Sequence, residues 1–155
     1  MTEKDDFDLY VFRISPDINQ KLRLPLGVKS NTLYSISFTK GNANAVLSFS
    51  NTVQKPATTK NAVGYELYFA KELLDKEAIR LSEKLGLFKS ELPVMFLISR
   101  YQEWRVKEIF ESLLDESTKT NLYRNEMMRT LIHILVLLSQ RLITINTNSY
   151  NGYIT

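Results

Sequence analysis

The chain has no cysteine. Disulfides, thiolate nucleophiles and thiolate metal sites are therefore excluded. It has one histidine, His133, which rules out metal sites built on several imidazoles and leaves a serine triad one candidate base. Only five glycines occur in 155 residues. There is no G-x-x-x-x-G-K phosphate loop, no G-x-G-x-x-G turn and no G-x-S-x-G elbow. Lys and Arg are scattered, so the net charge of +3 gives no clustered basic footprint for nucleic acid or lipid. The acidic start, MTEKDDFD, lacks the positive and apolar regions of a signal peptide. No apolar run reaches the roughly 20 residues of a membrane-spanning helix. These absences predict a cytoplasmic protein with no membrane partner, no metal, no cofactor and no catalytic residues.

Hydrophobic residues make up 44% and charged residues 24%, as in an ordinary globular domain. The first half reads as strands. DLYVFRI (8–14) is rich in aromatic and β-branched residues, and Pro16 and Asp17 mark a turn after it. NTLYSISF (31–38) alternates with period 2, placing Tyr34, Ile36 and Phe38 on one face and Ser35 and Ser37 on the other. TKGN (39–42) supplies a turn, and ANAVLSFS (43–50) alternates again through Ala45, Leu47 and Phe49, which together predict a β-hairpin. Residues 51–62 read as a loop. VGYELYFA (63–70) is another strand, with Val63, Tyr65, Leu67 and Phe69 on one side.

The period then changes. KELLDKEAIRLSEKLG (71–86) places Leu74, Ala78, Leu81 and Leu85 at helical spacing, with Gly86 as a C-terminal cap. ELPVMFLI (91–98) reads as a buried strand or extended segment. Ser99 and Gln102 have the spacing of a capping box ahead of the stripe Val106, Ile109, Phe110, Leu113 and Leu114. A polar connection (115–121) leads to a last helix at about 121–142. The two helices are expected to form an αα-hairpin. The tail, ITINTNSYNGYIT, fits a frayed end, a linker or a final strand. One domain, 1–155, is expected, with a strand-rich part (7–70), a mixed part (71–98), an αα-hairpin (99–143) and a tail (144–155).

In the last helix, seven of the eight residues from Leu131 to Leu138 are apolar. Met128, Leu131, Leu135, Leu138 and Leu142 step by three and four, as in a heptad seam. More apolar surface is present than one packing partner needs, which predicts a homodimer through this helix. The rival is a helix buried all round within a monomer. His133 is either a pH switch or ligand contact, or a structural imidazole held by one partner. Nothing complementary lies at helical spacing from it except Arg129 and Thr130, which favours the structural role. The strand aromatics fit core packing or an aromatic-lined pocket. Tyr34, Ser35, Phe38, Phe49, Tyr65 and Glu66 are the candidate lining of such a pocket, with Ser37 and Ser48 as further polar contacts.

The order of elements resembles the N-terminal cupin-like ligand-binding and dimerisation domain of AraC-family transcription regulators. YSISFTKGNANAVLSFS (34–50) is similar to that family's "fY-x-I-x-x-x-x-kG" strand and turn. GYELYFAKELL (64–74) is similar to its "Gy-x-l-x-F-s-x-e-f-L" segment, and residues 106–142 resemble its two linker helices. The resemblance implies an α+β fold: an N-terminal antiparallel cupin-like β-barrel, reduced in strand number, or a sheet, followed by helices. It implies a ligand-sensing, dimerising domain, with DNA bound only through a helix-turn-helix part absent from this chain. A cupin barrel has about eight strands, and the stretch between Gly41 and Gly64 is short by about a hairpin. The family's sugar-binding and metal-binding histidines have no counterpart. The unidentified ligand would be a small organic molecule. The alternative is a stand-alone protein-interaction module without catalytic activity.

Overall fold

The computed structural model describes residues 7–15, 24, 27–28, 32–41, 44–53, 62–119 and 122–145, apart from the side chains of 143–145. Its strands are β1 (Leu9–Ile14), β2 (Leu33–Lys40), β3 (Ala45–Ser50), β4 (Val63–Ala70), β5 (Val94–Ile98) and β6 (Ile143–Ile145). A single 3-10 turn, Lys71–Leu73, leads to helix α1 (Lys76–Leu85), and α2 (Arg100–Thr118) and α3 (Arg124–Ser139) follow β5. All strand pairs are antiparallel, in the order β1-β4-β2-β3-β5-β6. The sheet is open, with β1 and β6 as its two ends, so the described strands do not close the cupin-like barrel expected above. Strand β6 settles the start of the tail as a strand; residues 146–155 lie outside the described residues.

Period-2 alternation places Leu9 and Val11, Leu67 and Phe69, Ile36 and Phe38, Leu47 and Phe49, and Phe96 and Ile98 on one face of the sheet. This face shares one core with the helices, through Ala78 and Leu81 of α1, Val106, Phe110 and Leu113 of α2, and Met128, Ile132 and Leu135 of α3. The other face carries Tyr10, Phe12, Ser35, Ser37, Ser48, Ser50, Glu66 and Tyr68 by the same register. Gly64 fixes how β4 crosses β2. Its φ is +153°, and a Cβ there would lie 1.8 Å from the Phe38 carbonyl oxygen, so only glycine fits.

The helix of 71–86 begins later than its periodicity predicts. Asp75 takes a β conformation and accepts the Ala78 N–H through its side chain, which makes it the N-cap of α1. Gly86 ends the helix as expected. It is left-handed, with its N–H bonded to Glu83 O, while the Leu87 N–H bonds to Ser82 O, a Schellman ending. Ser99 is the N-cap of α2, but its hydroxyl donates to Gln102 Oε1 instead of bonding a backbone amide, so the capping box does not form. Helix α2 also runs through Asp115 to Thr118, into the expected connection.

Helices α2 and α3 are in contact, but α3 also packs on α1 and on the 3-10 turn. Arg124 Nε bonds Glu116 O at 3.0 Å, and Gln140 Nε2 bonds Leu81 O at 3.2 Å, tying α3 to both neighbours. This accounts for the greasy run. Met128, Leu135 and Leu138 are buried in the chain's own core, and Leu131 and Leu142 pack against it partly buried. The apolar surplus assigned to a second chain is covered largely by α1, α2 and the sheet. Among the described residues, no helix is long and apolar enough to cross a membrane.

Candidate functional site

The sheet divides the six expected pocket residues. Tyr34, Phe38, Phe49 and Tyr65 lie on the helix-covered face, and Ser35 and Glu66 lie on the other. On the covered face the aromatics mostly pack on one another. Tyr65 stacks on Phe110 at 5.3 Å between ring centroids, and the edge of Phe49 meets Phe96 at 5.7 Å. The Tyr65 hydroxyl also meets Glu111, which Arg13 grips with Nε at 3.0 Å and Nη2 at 2.6 Å. The Arg13 hydrogen bonds, then that of Tyr65, hold the Glu111 carboxyl down at about 2. Burial, then the hydrogen bond to Glu111, pushes Tyr65 up to about 12. These contacts pin β1 and β4 to α2 and give Tyr65 a structural role.

Tyr34 differs because it stands at the end of the aromatic row. Phe88 lies against it in parallel, 4.6 Å between centroids and 6° between planes. The Schellman ending at Gly86 makes this possible, because it turns the chain back so that Leu87 and Phe88 enter the core. Phe49 and Phe69 brace Phe88 edge-on at 5.9 and 5.8 Å. Beside this stack is a half-open cleft of about 650 Å³ between β2, the 3-10 turn and α1. That volume suits a small organic molecule. Tyr34, Leu74, Ile79 and Phe88 provide apolar lining, and Lys71, Glu72, Glu83 and Lys89 provide charge.

Asp75 links this cleft to the rest of the molecule. It follows the lining residue Leu74, caps α1, and meets His133 of α3, with Oδ2 2.8 Å from Nδ1. His133 is therefore held by one partner, which comes from another helix. Burial acts to raise the Asp75 pKa, but the Ala78 N–H and His133 outweigh it and leave the carboxyl below its ordinary value.

The opposite face carries a second polar group. Ser35 is paired with Ser50 and Tyr68, and Ser37 with Ser48 and Glu66. The Ser37 hydroxyl donates to Ser48 Oγ at 3.2 Å, the Ser35 hydroxyl donates to Thr52 O at 2.7 Å, and the Tyr68 hydroxyl donates to Glu66. Glu66 is buried, which raises its carboxyl pKa against the opposing pull of the Tyr68 hydroxyl. This gathers Ser35, Ser37, Ser48 and Glu66 on one surface, away from the aromatics expected beside them.

Of the expected pocket residues, only Tyr34 lines the cleft. Leu74, Ile79, Phe88, Lys71 and Lys89 were not anticipated. The Asp75-Lys76-Glu77-Ala78 run is a readable N-cap signal, whereas the docking of Phe88 on Tyr34 has no local signature. Among the described residues, no group of three or more metal-ligating side chains is assembled. No protein-family model matches this chain, and neither does any curated protein.

Proposed function

We propose that this chain is a non-catalytic ligand-sensing domain, with the cleft beside Tyr34 and Phe88 as its binding site. The observation that carries this reading is the union of an apolar lining and a charged rim in one half-open cleft of about 650 Å³. Its connection to α3 supports a sensing role. A ligand that moves α1 also acts on the Asp75–His133 and Leu81–Gln140 contacts. A ligand preferring one arrangement of α1 and α3 shifts the protein towards it. The AraC-like segments support placing this sensing in transcription regulation, with DNA bound through a part outside this chain.

A melting screen of small amphipathic compounds tests the reading. Binders should raise the Tm of the native protein and lose their effect on Ile79→Arg, which fills the cleft from an exposed position. They should also perturb the His133 ring resonances. Stabilisation that survives Ile79→Arg places the binder elsewhere and overturns the reading.

A second reading, a protein-interaction module, is favoured by the outer face of α2. Tyr101 is 80% exposed and Trp104 62% exposed, with Arg100 and Arg105 exposed beside them. Trp, Tyr and Arg are the residue types that dominate binding hot spots. A homodimer belongs to this reading as well, through exposed positions such as Met127 and Leu137 of α3. Trp104 is the sole tryptophan. A concentration-dependent blue shift of its emission would mark self-association through α2.

A further inference from the structure

Helix α2 separates its charges along its length. Its cations, Arg100, Arg105 and Lys107, all lie near its start, and from Glu108 to Thr118 every charged residue is acidic. One carboxylate falls among the cations, Glu103, and it is drawn to Lys40 at 2.8 Å. Further along, Glu111 is held by Arg13. Arg100 and Arg105 are exposed, and their side chains make no hydrogen bond or ion pair to another described residue. Val106, Ile109, Phe110 and Leu113 are buried, which turns the opposite side of the helix outward. On that side Arg100 is four residues from Trp104, Tyr101 is three from Trp104, and Arg105 is four from Tyr101, spacings that make each pair neighbours. Two exposed rings thus stand between two uncompensated guanidinium groups, at the positive end of the helix dipole. Glu108 bounds this surface one turn beyond Trp104. Such a surface complements a carboxylate next to an apolar side chain.

The extent of the cationic part decides among anionic partners. From Arg100 to Lys107 the helix rises roughly 10 Å, the reach of about three extended residues. A nucleic acid or an anionic membrane laid along α2 is attracted over that distance, then meets Glu108 and no further cation on the helix. A short acidic segment meets the cations alone. We infer that the outer face at the start of α2 binds a short acidic segment of another protein, with carboxylates on Arg100 and Arg105 and an apolar side chain against Tyr101 and Trp104. This rests on the second reading, the interaction module, and it names the chemistry of the partner.

Because Trp104 is the sole tryptophan, its emission reports directly on this surface. The test is a fluorescence titration of the native protein, at fixed protein concentration, with the end-blocked octapeptide EDFDLEDE. The same peptide with Gln and Asn in place of Glu and Asp, octauridylate, and phosphatidylserine vesicles serve as comparisons. The acidic peptide should shift the Trp104 emission and bind at least about tenfold more tightly than its neutral counterpart. Arg100→Ala and Arg105→Ala, both at exposed positions, should each weaken it about fivefold, the scale of one partly exposed charge contact. Equal binding of the neutral peptide, or undiminished binding by both arginine variants, overturns the acidic class and leaves the interaction surface standing. Tighter binding of octauridylate or of the vesicles gives the surface to nucleic acid or lipid and overturns both. If neither peptide moves the emission, both fall as well.

Discussion

His133 of α3 and Asp75, the cap of α1, meet at 2.8 Å, and the other oxygen of the same carboxylate accepts the Ala78 N–H at 2.7 Å. One side chain therefore both starts α1 and joins it to α3. Folding favours the ionised form of Asp75, because its folded pKa lies below its ordinary value. The resulting stability is complete above the ordinary carboxylate range and is lost as pH falls through the lowered value. Asp75→Ala should cost about 1 kcal/mol, the usual worth of an N-cap. It should also flatten the acid limb of a plot of urea midpoint against pH. An unaltered acid limb would deny Asp75 this role.

Glu111 and Tyr65 give a second pH signature with two separate windows. Glu111, held at about 2, contributes stability that is whole above the ordinary carboxylate range and fades as pH drops towards that value. Tyr65 is pushed up to about 12, so its contribution is present below the ordinary phenol value and fades as pH rises from there towards about 12. Tyr65→Phe removes one donor from Glu111, and the Glu111 carboxyl should then titrate higher by NMR. A Glu111 titration unchanged in Tyr65→Phe would show that the phenol does not act on it.

Gly64 should tolerate no side chain. A Cβ would lie 1.8 Å from a backbone oxygen of the neighbouring central strand, where no rotamer change can relieve it. Gly64→Ala should cost on the order of 3 kcal/mol or more, or prevent folding. Gly41→Ala is the control, since a Cβ there meets nothing within 4 Å.

Tyr123 precedes α3 in the left-handed region, with φ 60° and ψ 31°, and is 63% exposed. A tyrosine has no local advantage in that conformation. Tyr123→Gly should therefore stabilise the protein by up to about 1 kcal/mol, seen as a higher urea midpoint with unchanged slope. A fall in the midpoint would mean that the ring contributes more than its backbone strain costs.

Leu135 separates core from interface. It is fully buried in the chain's own core, so Leu135→Ala should cost roughly 2–5 kcal/mol. The loss should not depend on protein concentration. A concentration-dependent loss would assign Leu135 to contacts between chains.

Where a signal repeats locally, the sequence was a good guide. Strand β4 matches its expected limits, and Gly86 ends α1 as its position after the stripe predicts. What escaped depends on which element lands on which. Alternation showed that Tyr34 and Glu66 sit on half-buried strands, but only the pairing of β2 with β4 puts them on opposite faces. Similarly, the Met128–Leu142 spacing is the same whether its partner is another chain or α1, α2 and the sheet. The periodicity begins the helix at 71 and passes over the cap at Asp75, and nothing near His133 in the chain points to a partner 58 residues away.

The strand order also bears on how the protein reaches its native state. Among the described strands that pair, only β2 and β3 are joined by a short connection; Leu9 must find Phe69, and Met95 must find Ile145. Long-range pairings of this kind slow folding, because the chain entropy of closing a loop is lost before the contacts form. The β2–β3 hairpin is the natural starting point, with β4 adding next to β2. During synthesis β1 emerges early and must wait for β4, and β6 joins only after α3 has left the ribosome.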